Sequence, residues 1–134
     1  MRLVAPAVLL LAACGQPAPR APVVGQEARA AVDAATKVYS DCVSSRAVSV
    51  DVTGQLAGNV VDAIVKACKP ARRLLIERVA AFHHLGHPKA TRDYAELVAE
   101  ESVKQIDEPI ASAAVVTIVD RQRGTPAATT AKGR

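Results

Sequence analysis

Residues 26–48 read QEARAAVDAATKVYSDCVSSRAV, with apolar side chains at Ala28, Ala31, Val32, Ala35, Val38, Tyr39, Cys42, Val43 and Ala47. The apolar positions recur at steps of three and four, and neither Gly nor Pro interrupts them. This spacing predicts an amphipathic helix with Cys42 on its buried face, since a half-buried strand would alternate every second residue.

Working outward, Asp51-Val52-Thr53-Gly54-Gln55-Leu56-Ala57-Gly58 breaks the pattern with two glycines and predicts a turn. Asn59, with Asp62 three residues on, resembles a helix cap with an acidic first turn, and Val60, Val61, Ile64, Ala67 and Cys68 extend a second apolar stripe. Pro70 removes a backbone donor, yet the stripe keeps phase through Ala71, Leu74, Leu75, Val79, Phe82 and Leu85. One kinked helix ending at Gly86-His87-Pro88 is therefore favoured over two separate helices. A further helix is expected from Thr91 as cap, with Asp93 in its first turn and Tyr94, Leu97, Val98 and Ile106 buried. Asp107-Glu108-Pro109 either kinks this helix or ends it and starts another, and helix is expected to about Arg123 in both cases. The apolar run Ile110 to Val119, too short to cross a bilayer, reads as the most buried helix of the bundle.

The composition agrees with helices. The chain has 134 residues, no Trp, one Phe and two Tyr, so its core must be assembled from Ala, Val, Leu and Ile. Alanine is the strongest helix former, and a β-sandwich or barrel would need many more β-branched and aromatic residues. The expectation is an all-α domain over residues 26–123, a small three- or four-helix bundle, followed by a disordered tail at 124–134.

The chain opens with Met1 and Arg2, then an apolar run from Leu3 to Ala13, which reads as a secretory signal peptide over residues 1–13. At about 11 residues the run is far short of the roughly 20 that span a bilayer as a helix. Leu11-Ala12-Ala13-Cys14 closes it and resembles the lipobox of bacterial lipoproteins, in which a leucine and two small residues precede a cysteine. The resemblance covers the first 14 residues. It implies that Cys14 becomes the mature N-terminus and carries the lipid. Gly15 stands where an Asp would imply retention at the inner membrane, so the implied location is the periplasmic face of the outer membrane. Residues 14–25, with Pro17, Pro19 and Pro22, suit an extended spacer between lipid and domain.

Assigning Cys14 to lipid leaves Cys42 and Cys68 as a pair, and an oxidising periplasm favours a disulfide between them over two buried thiols. The geometry of a helical hairpin permits it. At 1.5 Å per residue Cys42 lies about 12 Å below the turn and Cys68 about 13 Å below it, if the second helix starts near Asn59. No Cys-x-x-Cys spacing points to redox catalysis.

Charge excludes some functions. Seventeen Lys and Arg against 13 Asp and Glu give +4, too little to argue for nucleic acid as a partner. Lys66, Lys69, Arg72, Arg73 and Arg78 make one helix basic, while Asp93, Glu96, Glu100, Glu101, Asp107 and Glu108 make its neighbour acidic, so the two stripes should pair across the turn. His83, His84 and His87 cluster where a helix is ending. A structural role at the negative end of the helix dipole is favoured there over metal binding, and no metal or cofactor site is assigned. Ser44, Ser45 and Ser49 lack a neighbouring base, and the adjacent acidic pairs point in different directions, so no catalytic set emerges. The functional expectation is a lipid-anchored periplasmic module that binds or scaffolds an envelope protein without catalysis. A small binding protein for a metal ion or apolar ligand is the alternative.

Overall fold

The computed structural model describes residues 23–124, so the expectations for the signal segment, Cys14, most of the spacer and the tail beyond Gly124 fall outside the described residues. Four helices and no strand occur among the described residues: α1 (Val23–Ser49), α2 (Ala57–Ala67), α3 (Lys69–Gly86) and α4 (Arg92–Gln122).

In α1, the residues Ala35, Tyr39, Val43 and Ala47 repeat at every fourth position and are all buried. That row meets α3 and α4 and makes α1 the spine of the core. The helix begins three residues ahead of Gln26, and Val38, expected on the buried stripe, is half exposed. The chain then turns through residues 50–56. Gly54 adopts φ +67°, where a side chain would be strained. Asp51 Oδ1 accepts the Thr53 N–H at 3.0 Å, and this hydrogen bond holds the Asp51 carboxyl below the usual carboxylate range. The far end of α4 ties the turn down: Gln122 Nε2 donates to the carbonyls of Val52 (3.1 Å) and Gln55 (2.7 Å), and Arg121 Nη1 donates to Ala47 (2.8 Å).

Two expectations about α2 and α3 are corrected. α2 starts at Ala57 behind Leu56, with no side-chain cap, so Asn59 lies inside the helix and does not cap it. Burial of Val60, Val61 and Ile64 holds α2 in place of a cap. The single kinked helix is in fact two helices, because the chain leaves helical geometry at Cys68 (φ −89°, ψ 9°). Pro70 has no N–H to offer the carbonyl four residues back. The Cys68 N–H is shared between Ile64 and Val65 (2.9 and 3.1 Å), tightening the last turn of α2, and a new helix starts with Pro70 in its first turn, where no donor is needed.

Pro109 acts differently. α4 runs unbroken through it for 31 residues. One missing hydrogen bond is outweighed by inward-facing residues on both sides: Val103 before the proline, and Ala114 and Ile118 after it. The Thr91 hydroxyl accepts the Tyr94 N–H at 3.3 Å and caps the helix as expected, with Asp93 in the first turn.

The buried face of α4, however, is one residue out of step with the expected one. Ala95, Ala99 and Val103 are buried, whereas Tyr94 and Leu97 are 54% and 65% exposed, and Val98 and Ile106 are half-buried. Alanine lets helix axes approach closely, and a row of small side chains at every fourth position admits α1 and α3 where Tyr and Leu would hold them apart. The run 110–119 is likewise only partly buried, with Ala114 and Ile118 inside and Val116 outside.

α1 ascends, α2 and α3 together descend, and α4 ascends again. The result is an up-down-up bundle whose middle limb is split at Cys68, with the Cys42–Cys68 disulfide (Cα–Cα 6.0 Å) pinning that joint to α1.

Candidate functional site

Chemistry-bearing side chains gather at two places in the bundle: its interior between the three limbs, and the end where α1 starts, α3 finishes and α4 begins.

In the interior, Arg72 of α3 grips Asp107 of α4. Its Nε donates to both carboxylate oxygens (3.1 and 2.8 Å) and its Nη2 to Oδ2 (2.6 Å). Both side chains are about three-quarters buried. The hydrogen bonds that Arg72 donates to Asp107 hold the guanidinium still more firmly charged. This contact is what the expected basic and acidic stripes come to. The other ion pairs among the described residues stay within one helix: Lys37–Asp41, Arg73–Glu77, Arg92–Glu96 and Lys104–Glu101. Removing one partner strands a largely desolvated guanidinium, so Asp107→Ala should cost about 1–3 kcal/mol in a urea melt. The exposed pair at Glu77 should cost under about 1 kcal/mol when removed.

Tyr39 lies beside this pair, fully buried, its hydroxyl close to the Asp107 carboxylate but outside full hydrogen-bond geometry. Burial, reinforced by the negative charge of Asp107, pushes the phenol up to about 12 from 10.0. The folded state therefore favours the protonated phenol. Its contribution to stability is complete below pH 10 and is lost as pH rises towards about 12. Wild type should weaken across that window more steeply than Tyr39→Phe, as denaturant midpoints measured against pH will show. Equal slopes would refute the assignment.

At the bundle end, the three histidines do not act as one group. The His83 and His87 rings lie 4.6 Å apart, and the edge of Tyr94 approaches His83 at 5.9 Å. Nδ1 of His83 is buried without a partner. His87 closes the helix, donating its N–H to the His83 carbonyl at 3.0 Å. His84 faces a different groove of about 280 Å³, with Glu77, Arg92 and Glu96. Among the described residues, no three His, Cys, Asp or Glu are placed to share a metal ion. A second groove of about 440 Å³, open to solvent, runs between Gly25 of α1, Phe82 and Leu85 of α3 and Val98 of α4.

Reading the sequence for chemistry missed Tyr94 as a neighbour of His83. Its place on the apolar stripe assigned it to the core, and one residue of rotation puts it outside. Cys42 and Cys68 are brought together as expected, while Cys14 is not among the described residues. No helix among the described residues is long and apolar enough to cross a membrane. The fold and site define a small all-α domain with a split limb and one disulfide. Comparison with protein-family models, curated proteins and solved structures finds no match to the chain.

Proposed function

We propose that this chain is a lipid-anchored periplasmic protein, tethered through Cys14 to the outer membrane, whose helical domain binds or scaffolds an envelope protein without catalysing a reaction. The observation that carries the reading is the division of its three cysteines. Cys42 and Cys68 are joined to each other, which supports the reading of Cys14, at the end of an apolar leader and behind Leu11-Ala12-Ala13, as the lipid-bearing residue. A disulfide is itself at home in an oxidising compartment. Two or more acyl chains on one cysteine would make the tether stable, each buried methylene contributing about 0.8 kcal/mol.

Mass spectrometry of the mature protein, with membrane fractionation, tests this. The expected product begins at Cys14, carries diacylglycerol and sediments with membranes, whereas Cys14→Ser remains unprocessed or is released. An unmodified wild-type chain, free in the cytoplasm with three alkylatable thiols, would overturn it.

The close approach of His83 and His87, with an unpartnered Nδ1, favours a second reading as a periplasmic metal-binding module. It requires zinc, nickel or copper to raise the melting temperature of wild type, with the rise lost in the variant combining His83→Ala and His87→Ala. No rise in wild type refutes it.

A further inference from the structure

We infer that the bundle end made by the start of α1, the finish of α3 and the start of α4 rests directly on the lipid surface to which the chain is tethered, an inference that builds on the Cys14 reading above. Of the ten large apolar side chains left exposed among the described residues, six stand at this end: Val23, Val24, Phe82, Leu85, Tyr94 and Leu97. Gly25, Phe82, Leu85 and Val98 line one groove, which places the three helix ends beside one another. A soluble monomer seldom leaves so much apolar surface clustered unless something covers it.

The length of chain ahead of α1 identifies the cover. Eight residues lie between Cys14 and Val23, a reach of at most about 30 Å when fully extended. The opposite end of the bundle, where Leu56 lies, is farther by the length of α1, roughly 40 Å at 1.5 Å per residue. A lipid on Cys14 therefore presents this end, and not the other, to the membrane. The polar groups at the end suit an interface. Tyr94 pairs an apolar ring with a hydroxyl, and Lys89, His83 and His87 line one groove with it. Arg92 is already paired with Glu96 at 3.3 Å, and Glu27 and Asp93 lie on the same helix ends, so charge nearly cancels. Apolar contact should carry the attachment, and salt should weaken it little.

The chain has no tryptophan, so one introduced indole reports its own surroundings. The mature chain beginning at Cys14 is prepared as Leu85→Trp, Leu97→Trp or Leu56→Trp, and its one thiol outside the disulfide is coupled to a maleimide lipid. Coupling supplies the tether chemically, so contact at the end is read whether or not the cell acylates Cys14. Vesicles of phosphatidylethanolamine and phosphatidylglycerol are made with and without bromine on the acyl chains. Emission from the 85 and 97 positions should fall at least about twofold in brominated vesicles and shift to the blue, with position 56 unchanged. Equal emission at all three positions overturns the inference and leaves the tether reading standing. A blue shift without quenching also overturns it, because a second copy or the spacer then covers the end. Quenching at 85 and 97, combined with native protein that carries no lipid, supports this contact surface and refutes only the tether.

Discussion

Replacing Cys42 and Cys68 together by alanine is expected to lower the unfolding free energy by about 3.5 kcal/mol, the chain-entropy value for a closed loop of this size. The loop spans 26 residues. For a domain of roughly 100 residues this corresponds to a fall of roughly 15–25 °C in melting temperature. The effect should be concentrated where the bond sits. Cys68 is the joint between α2 and α3, the one place in the descending limb where helical hydrogen bonding is interrupted, and Pro70 prevents the two helices from fusing. α2 is 11 residues long, at the margin below which helices do not persist alone in water, and its N-terminus lacks a side-chain cap. Without the bridge, α2 and the 50–56 turn should exchange their amide hydrogens faster than α3 and α4 do. Reductant should reproduce the loss in wild type and leave the double variant unchanged. If wild type is indifferent to reductant, the two sulfurs do not stabilise the fold.

The parts of this fold that were legible in the sequence are those where periodicity and local chemistry agree. In α1 the row Ala35, Tyr39, Val43, Ala47 is written directly into the spacing, and Thr91 announces the start of α4 by a cap whose partner is three residues away. The Cys42–Cys68 pairing followed from counting cysteines, given a lipid on Cys14. Legibility ended where distant neighbours decide. In α4, Tyr94 and Leu97 are more hydrophobic than Ala95 and Ala99, so a local reading buries the larger pair. The bundle buries the smaller pair because axial approach across three limbs gains more packed surface than two large side chains would supply. The prolines show the same limit. Pro70 and Pro109 carry the same backbone defect, yet one ends a helix and the other does not. The difference lies in their surroundings: Pro70 comes two residues after Cys68, where the chain leaves helical geometry and is bonded to α1, whereas Pro109 has buried residues of its own helix on both sides, Val103 before it and Ala114 and Ile118 after it. At the functional level, the histidine spacing was visible but the separation of His84 from His83 and His87 was not. That separation depends on which groove each side of α3 borders.

Tyr39→Ala should be the most damaging single substitution in the core, at about 3–5 kcal/mol for removal of a fully buried aromatic ring. The chain has two tyrosines, and their environments differ enough for one to control for the other. Tyr39 is 0% exposed in the row that α1 turns towards α3 and α4, whereas Tyr94 is 54% exposed at the bundle end. Tyr94→Ala should therefore cost under about 1 kcal/mol. A domain of this size has a total stability of roughly 5–15 kcal/mol, so the Tyr39 variant approaches the unfolding threshold. The cost should come from the ring and not from the hydroxyl, because that hydroxyl is buried outside full hydrogen-bond geometry. Phenylalanine keeps the packing and removes an unsatisfied polar atom, so Tyr39→Phe should be neutral or stabilising by up to about 1 kcal/mol at neutral pH. Urea melts of Tyr39→Ala, Tyr39→Phe and Tyr94→Ala at one pH decide the matter. If Tyr39→Ala and Tyr94→Ala prove equally costly, the rotation of α4 that turns Ala95 and Ala99 inward, and leaves Tyr94 outside, is wrong. If Tyr39→Phe is as costly as Tyr39→Ala, the hydroxyl holds the Arg72–Asp107 pair in place, and the interior of the bundle is organised around a three-membered polar network in place of a packed ring.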